Sequence, residues 1–87
     1  MFKINKNQAV DLILNSKGRF ITIEFIKKDQ SLRVINGQLF TGKNPPGLGY
    51  IRIKESRKVW GKRPIRNVNT QTIKKVSING KTYTVNS

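Results

Sequence analysis

Apolar residues recur at every second position in several short runs of this chain, and that period admits extended strands with one buried face rather than helices. In residues 19–28, Ile21, Ile23 and Phe25 alternate with Thr22 and Glu24, with Phe20 and Ile26 at the ends. The polar turn Lys27-Lys28-Asp29-Gln30-Ser31 follows, and Leu32 and Val34 then resume the alternation, which predicts a β-hairpin. Asn36-Gly37 reads either as a second tight turn or as a kink in one long strand. Residues 41–49 contain Gly42, Pro45, Pro46, Gly47 and Gly49, so they form a loop: proline lacks a donor and glycine lacks stiffness. Later, Ile73, Val76 and Ile78 lead to Asn79-Gly80, the strongest hairpin signal in the chain, and residues 81–85 return as a last strand.

Helical spacing is confined to the beginning. Asn5 can cap a helix, with Gln8 three residues on as its reciprocal partner and Asp11 near the positive end of the dipole. Val10, Ile13, Leu14 and Lys17 follow at three- and four-residue steps, widened by Ala9 and Leu12, and Gly18 suits a left-handed terminating residue. The expected helix covers residues 6–17 and is too short to persist without docking on a sheet. Residues 67–72 are polar around Val68 and suit a single helical turn. With 87 residues, the chain forms one small domain that buries only about 60–65% of its unfolded surface. The expected architecture is mainly β: five or six short antiparallel strands from residue 19 onward, arranged as a small barrel or half-open sheet, with one N-terminal α-helix.

Charge bears on function. Eighteen Lys and Arg against four Asp and Glu give a net charge of +14. The imbalance is uneven: residues 1–41 carry seven bases and three acids, and residues 42–87 carry eleven and one. Residues 50–66 concentrate it, with seven bases, one acid (Glu55) and the only Trp. Alternation within residues 50–54 sends Ile51 and Ile53 to the core face and Tyr50, Arg52 and Lys54 to the other. Two strands are expected, residues 49–54 and 59–66, joined by Glu55-Ser56-Arg57-Lys58; Pro64 argues that the second is an edge or bends. Closely spaced cations meet phosphates and a neighbouring flat ring meets a base, so Tyr50, Arg52, Lys54, Arg57, Lys58, Trp60, Lys62, Arg63 and Arg66 are the candidate nucleic-acid-binding residues. Trp60 also reads as core or as a lid over a barrel end, while Tyr83 and Phe25 read as core.

Chemistry finds little support. The chain has no Cys and no His, and its four acids have plainer readings: Asp11 as helix-dipole partner, Glu24 on a solvated strand face, Asp29 in a turn, Glu55 as counter-ion. No catalytic residue, metal ligand or cofactor is expected. Gly37-Gln38-Leu39-Phe40-Thr41-Gly42-Lys43-Asn44 nearly matches the phosphate-cradling G-x-x-x-x-G-K-[ST], but Asn44 replaces the hydroxyl, and the two prolines after it cannot open the required helix. No apolar run approaches the roughly 20 residues of a spanning helix, and residues 1–6 lack the apolar run of a secretory signal, so a membrane is not an expected partner.

The leading helix, the run Gly18-Arg19-Phe20-Ile21-Thr22-Ile23-Glu24-Phe25-Ile26-Lys27-Lys28-Asp29 and the closing residues 69–83 together resemble a group of small proteins of tailed bacteriophages described as having an SH3-like β-barrel. That family is largely uncharacterised, so the resemblance implies a fold and the cytoplasm of an infected bacterial host, and lends no catalytic residues. The expected function is non-catalytic binding of DNA or RNA through the phosphate backbone. The alternative is a phage-encoded modulator or inhibitor whose basic face docks on an acidic surface of a host protein.

Overall fold

Alternation becomes strand wherever it was expected, and one further strand appears where three residues are too few to show a period. The computed structural model describes residues 2–41 and 49–86. In order these form β1 (Phe2–Ile4), α1 (Lys6–Leu14), β2 (Ile21–Ile26), β3 (Leu32–Leu39), β4 (Tyr50–Glu55), β5 (Ile65–Asn69), a 3₁₀ turn (Thr70–Thr72), β6 (Ile73–Ile78) and β7 (Lys81–Val85). The seven strands make one sheet in the order β1-β7-β6-β2-β3-β4-β5. Pairing is antiparallel except between β1 and β7, which run parallel with Phe2 opposite Tyr83 and their rings 5.4 Å apart. The chain is mainly β with one helix, as expected; its sheet has seven strands instead of five or six and leaves β1 and β5 as edges, so no barrel closes.

The helix begins as its sequence requires and ends early. Gln8 N–H donates to Asn5 Oδ1 at 2.8 Å, and Asn5 N–H donates to Gln8 Oε1 at 2.9 Å. At the other end Asn15 donates to the Asp11 carbonyl from both its backbone N–H and Nδ2, and Ser16 donates to the Ile13 carbonyl from both its backbone N–H and Oγ, which occupies the acceptor that Lys17 N–H would use in a longer helix. Lys17 and Gly18 then both adopt positive φ (48° and 83°), closing a tight turn in which Arg19 N–H reaches the Ser16 carbonyl. The expected end at Lys17 is therefore corrected to Leu14. Ala9 and Ile13 carry the buried face of α1 against β6, β7 and the 3₁₀ turn.

Register decides which face each strand buries. Ile23 pairs with Ile35 and Phe25 with Arg33, so in β3 the odd-numbered residues face the core and Leu32 and Val34, though alternating as expected, lie exposed on the outer face. Asn36-Gly37 is not a turn; β3 runs straight through it. Gly37 lies opposite Glu55, where a Cβ would overlap the Lys54 carbonyl and stand 2.9 Å from Glu55 Cα, so the close approach of β4 demands glycine. In β6 the spacing Ile73, Val76, Ile78 is three and then two, and a bulge explains it: β2 pairs Glu24 with Lys75 and Phe25 with Ile73, leaving Lys74 as the extra residue. All three apolar side chains thereby face one core, which also takes Ile21, Ile51, Ile53, Val68 and Val85. Asn79-Gly80 makes the expected turn with φ of 54° and 74°.

The 41–49 loop falls mainly on residues 42–48, which lie outside the described residues, as does the end of the near match to a phosphate loop. Its beginning, Gly37 to Leu39, is strand interior, which is not the loop such a motif requires. Among the described residues no helix is long and apolar enough to cross a membrane. Replacing Gly37 with Ala is expected to destabilise the fold by roughly 2–3 kcal/mol through this backbone overlap, measured as a lowered midpoint in urea.

Candidate functional site

Strand parity places the acid of the basic stretch indoors. In β4, Ile51 and Ile53 face the core, so Glu55 continues on the same side and is only 3% exposed. β5 sets Arg66 opposite Ile53, and β3 sets Arg33 opposite Phe25, which puts both guanidinium groups on that same face. Glu55 Oε2 accepts from Arg66 Nε at 2.9 Å, and Oε1 accepts from Arg57 Nε at 3.1 Å and from Arg33 at 3.5 Å. Burial alone would raise the Glu55 carboxyl; hydrogen bonds from Arg66 and Arg57 and the charges of Arg57 and Arg33 outweigh it and hold the group below its ordinary 4.5. Charge-assisted bonds of this kind fix the three guanidinium groups.

The opposite face of β4 arranges cations against rings. Arg52 lies 5.1 Å from the Phe40 ring centroid, and Arg63 lies 5.5 Å from that of Phe20. Arg63 also donates from Nε to the Glu55 carbonyl at 2.7 Å and from Nη2 to Gln38 Oε1 at 2.8 Å. It is a clamp between the 56–64 segment and β3, so much of its donor set is occupied within the protein.

The segment between β4 and β5 corrects the expected strand at 59–66, since β5 starts only at Ile65. Val59 and Lys62 exchange backbone hydrogen bonds at 2.7 and 3.0 Å, which makes Trp60-Gly61 a two-residue hairpin tip. Both tip residues have positive φ, 54° and 76°, the geometry of a type I′ turn, where Asn-Gly or Asp-Gly would be usual. Trp60 is 97% exposed, so it is neither core nor lid. Around it stand Arg57, Lys58 and Lys62, all exposed, with no acid from residue 56 to residue 64. Pro64 precedes the edge strand β5, in keeping with its missing donor, and its carbonyl accepts from Glu55 N–H at 2.8 Å.

The nine candidate residues thus divide among three places. Tyr50, Arg52 and Lys54 lie on the outer face of β4, with Arg63 clamped nearby; Arg57, Lys58, Trp60 and Lys62 form the hairpin; Arg66 points to the inner face with Glu55. They do not share one sheet surface, because Arg66 has the parity of Ile53 rather than that of Lys54. Arg33, Phe20 and Phe40 were not foreseen; the alternation Arg33, Ile35, Gly37 was the available signal for the first. Among the described residues no group of three or more His, Cys, Asp or Glu could hold a metal ion.

No protein-family model matches the chain, and neither do curated proteins or solved structures.

The ionised form of Glu55 is favoured by folding, so the folded state holds fewer protons than the unfolded chain below the ordinary 4.5. The stabilisation is complete above that pH and is lost as pH falls through the lower folded value. Glu55→Gln is expected to cost roughly 1–3 kcal/mol at neutral pH and to flatten the acid limb of stability against pH, read by urea denaturation at several pH values.

Proposed function

We propose that this protein binds nucleic acid without catalysis, through backbone phosphates met by the hairpin at residues 57–62 and the outer face of β4. The observation that carries the reading is the segregation of charge: the one acid of the basic stretch is turned inward, where it holds Arg57 and Arg66, and the hairpin carries Lys58 and Lys62 with no acid of its own around an indole that is 97% exposed. A Trp in left-handed backbone conformation strains the turn, and its ring adds nothing to the core, so the residue serves contact rather than stability. Lys58 and Lys62 supply the phosphate contacts at the tip, Arg57, oriented by Glu55 through Nε, adds its remaining donors beside them, Arg52 and Lys54 extend the contacts along β4, and Trp60 stacks on an exposed base. Arg63 acts mainly by fixing this surface, and Arg66 lies on the inner face with Glu55. The resemblance to small tailed-phage proteins carries the further proposal of a phage origin and a site of action in the cytoplasm of the infected bacterium.

One observation favours the second reading, a modulator of a host protein: Trp and Arg are the side chains that most often anchor protein interfaces, and the tip presents both. The single Trp separates the two readings. Stacking on a base quenches its emission, whereas burial in an apolar protein pocket shifts the emission to the blue.

If about five phosphates of duplex DNA are neutralised, the slope of log K against log salt is about −4.5, and affinity falls roughly 500-fold from 50 to 200 mM salt. Fluorescence anisotropy at the two salt concentrations tests this, and absence of binding to both DNA and RNA at low salt would end the reading. Trp60→Asn, which suits the left-handed position, is expected to leave the thermal midpoint unchanged or raised while weakening single-strand binding roughly tenfold. A variant that binds as tightly as the parent removes Trp60 from the interface.

A further inference from the structure

We infer that the open end of the sheet holds a pocket for one nucleoside monophosphate unit, either as a free nucleotide or as an unpaired nucleotide of a strand. A cavity of about 560 Å³ lies between the β2–β3 turn, the start of β4 and the edge strand β5, a volume in the range of small-molecule sites. Its composition names the ligand in three steps. Lys27, Lys28, Arg33 and Arg66 line it and no carboxylate among the described residues does, which selects an anion. Phe25 and Tyr50 give it aromatic surface, which selects a flat ring. Asn67 on β5 offers a donor and an acceptor, and Asn69, whose Oδ1 accepts from Gln71 N–H at 2.9 Å, keeps its amide donors, which suits the edge of a nucleobase better than a plain aromatic acid.

The buried Glu55 makes the anion site rigid before any ligand arrives. It engages Arg66 through Nε and Arg33 through one Nη2, and each guanidinium carries five N–H donors, so further donors remain to meet a phosphate. Two cations held in place by one carboxylate lose little side-chain freedom on binding. This pocket differs from the hairpin surface: apart from Tyr50 and Arg66, its lining residues are not among those put forward from the basic stretch. The inference concerns nucleotide recognition and rests on the nucleic-acid reading only for the strand-borne source of the ligand.

The test is a set of NMR titrations of the isotope-labelled protein with adenosine 5′-monophosphate, inorganic phosphate and a short single-stranded oligodeoxynucleotide. Saturable shifts at the side-chain amides of Asn67 and Asn69 and at the Tyr50 ring are expected with the nucleotide or the oligonucleotide, and the effective ligand identifies the source. Asn67→Ala, an exposed position, should keep the fold and weaken that binding roughly five- to tenfold, as should Tyr50→Ala. Shifts with inorganic phosphate equal to those with the nucleotide would overturn recognition of a base. Oligonucleotide binding whose shifts stay at the hairpin and outer β4, unaltered by Asn67→Ala, would overturn the pocket and leave the nucleic-acid reading standing. Nucleotide binding at the pocket with no oligonucleotide binding would support the pocket and remove the nucleic-acid reading.

Discussion

One buried carboxylate organises the basic half of the molecule. Glu55 ends β4 on the core side, accepts from Arg66 of β5, from Arg57 of the following segment and from Arg33 of β3, and so ties three consecutive parts of the sheet to one point. Its own backbone joins in: the Glu55 N–H donates to the Pro64 carbonyl and the Glu55 carbonyl accepts from Arg63. A chain with this surplus of cations repels itself, and a lone interior anion shared by three guanidinium groups offsets that repulsion where strands crowd most closely. Gly37, opposite Glu55, lets the two backbones approach far enough for the arrangement to form.

The consequence for the surface is a division of labour among cations. Arg33, Arg57 and Arg66 are engaged by the carboxylate, Arg63 by backbone and Gln38, and Arg52 rests near Phe40, so several arginines are oriented by the protein itself. The lysines at 58 and 62 flank the tip and keep the mobility of long exposed chains. Under the proposed role, oriented arginines shape the surface and the lysines follow a phosphate backbone of variable path.

Much of the fold was legible because period two and Asn-Gly turns are local signals. The hairpin of β2 and β3, the turn at Asn79-Gly80, the capped start of α1 and the edge position after Pro64 all follow from short-range chemistry. β1 was not legible, since Phe2–Ile4 becomes strand only by pairing with β7, distant in sequence. The helix end was misplaced because Asn15 and Ser16 take backbone acceptors, an outcome their residue types allow but do not require. Of the candidate site, the outward set on β4 could be read from alternation. The inward set could not: the parity of Arg66 depends on where β5 begins, and the basic run 57–66 conceals a tight turn at Trp60-Gly61, a pair outside the usual vocabulary for such turns.

The open sheet has a consequence of its own. Exposed strand edges ordinarily invite neighbouring copies to zip together, and β5 leaves such an edge on the most positive part of the chain. The like charge of two identical edges opposes their approach. A polyanion that cancels the charge also lifts that restraint, so molecules crowded along one polymer would be drawn into lateral contact with each other, and clustering would be strongest where the cancelling charge is densest.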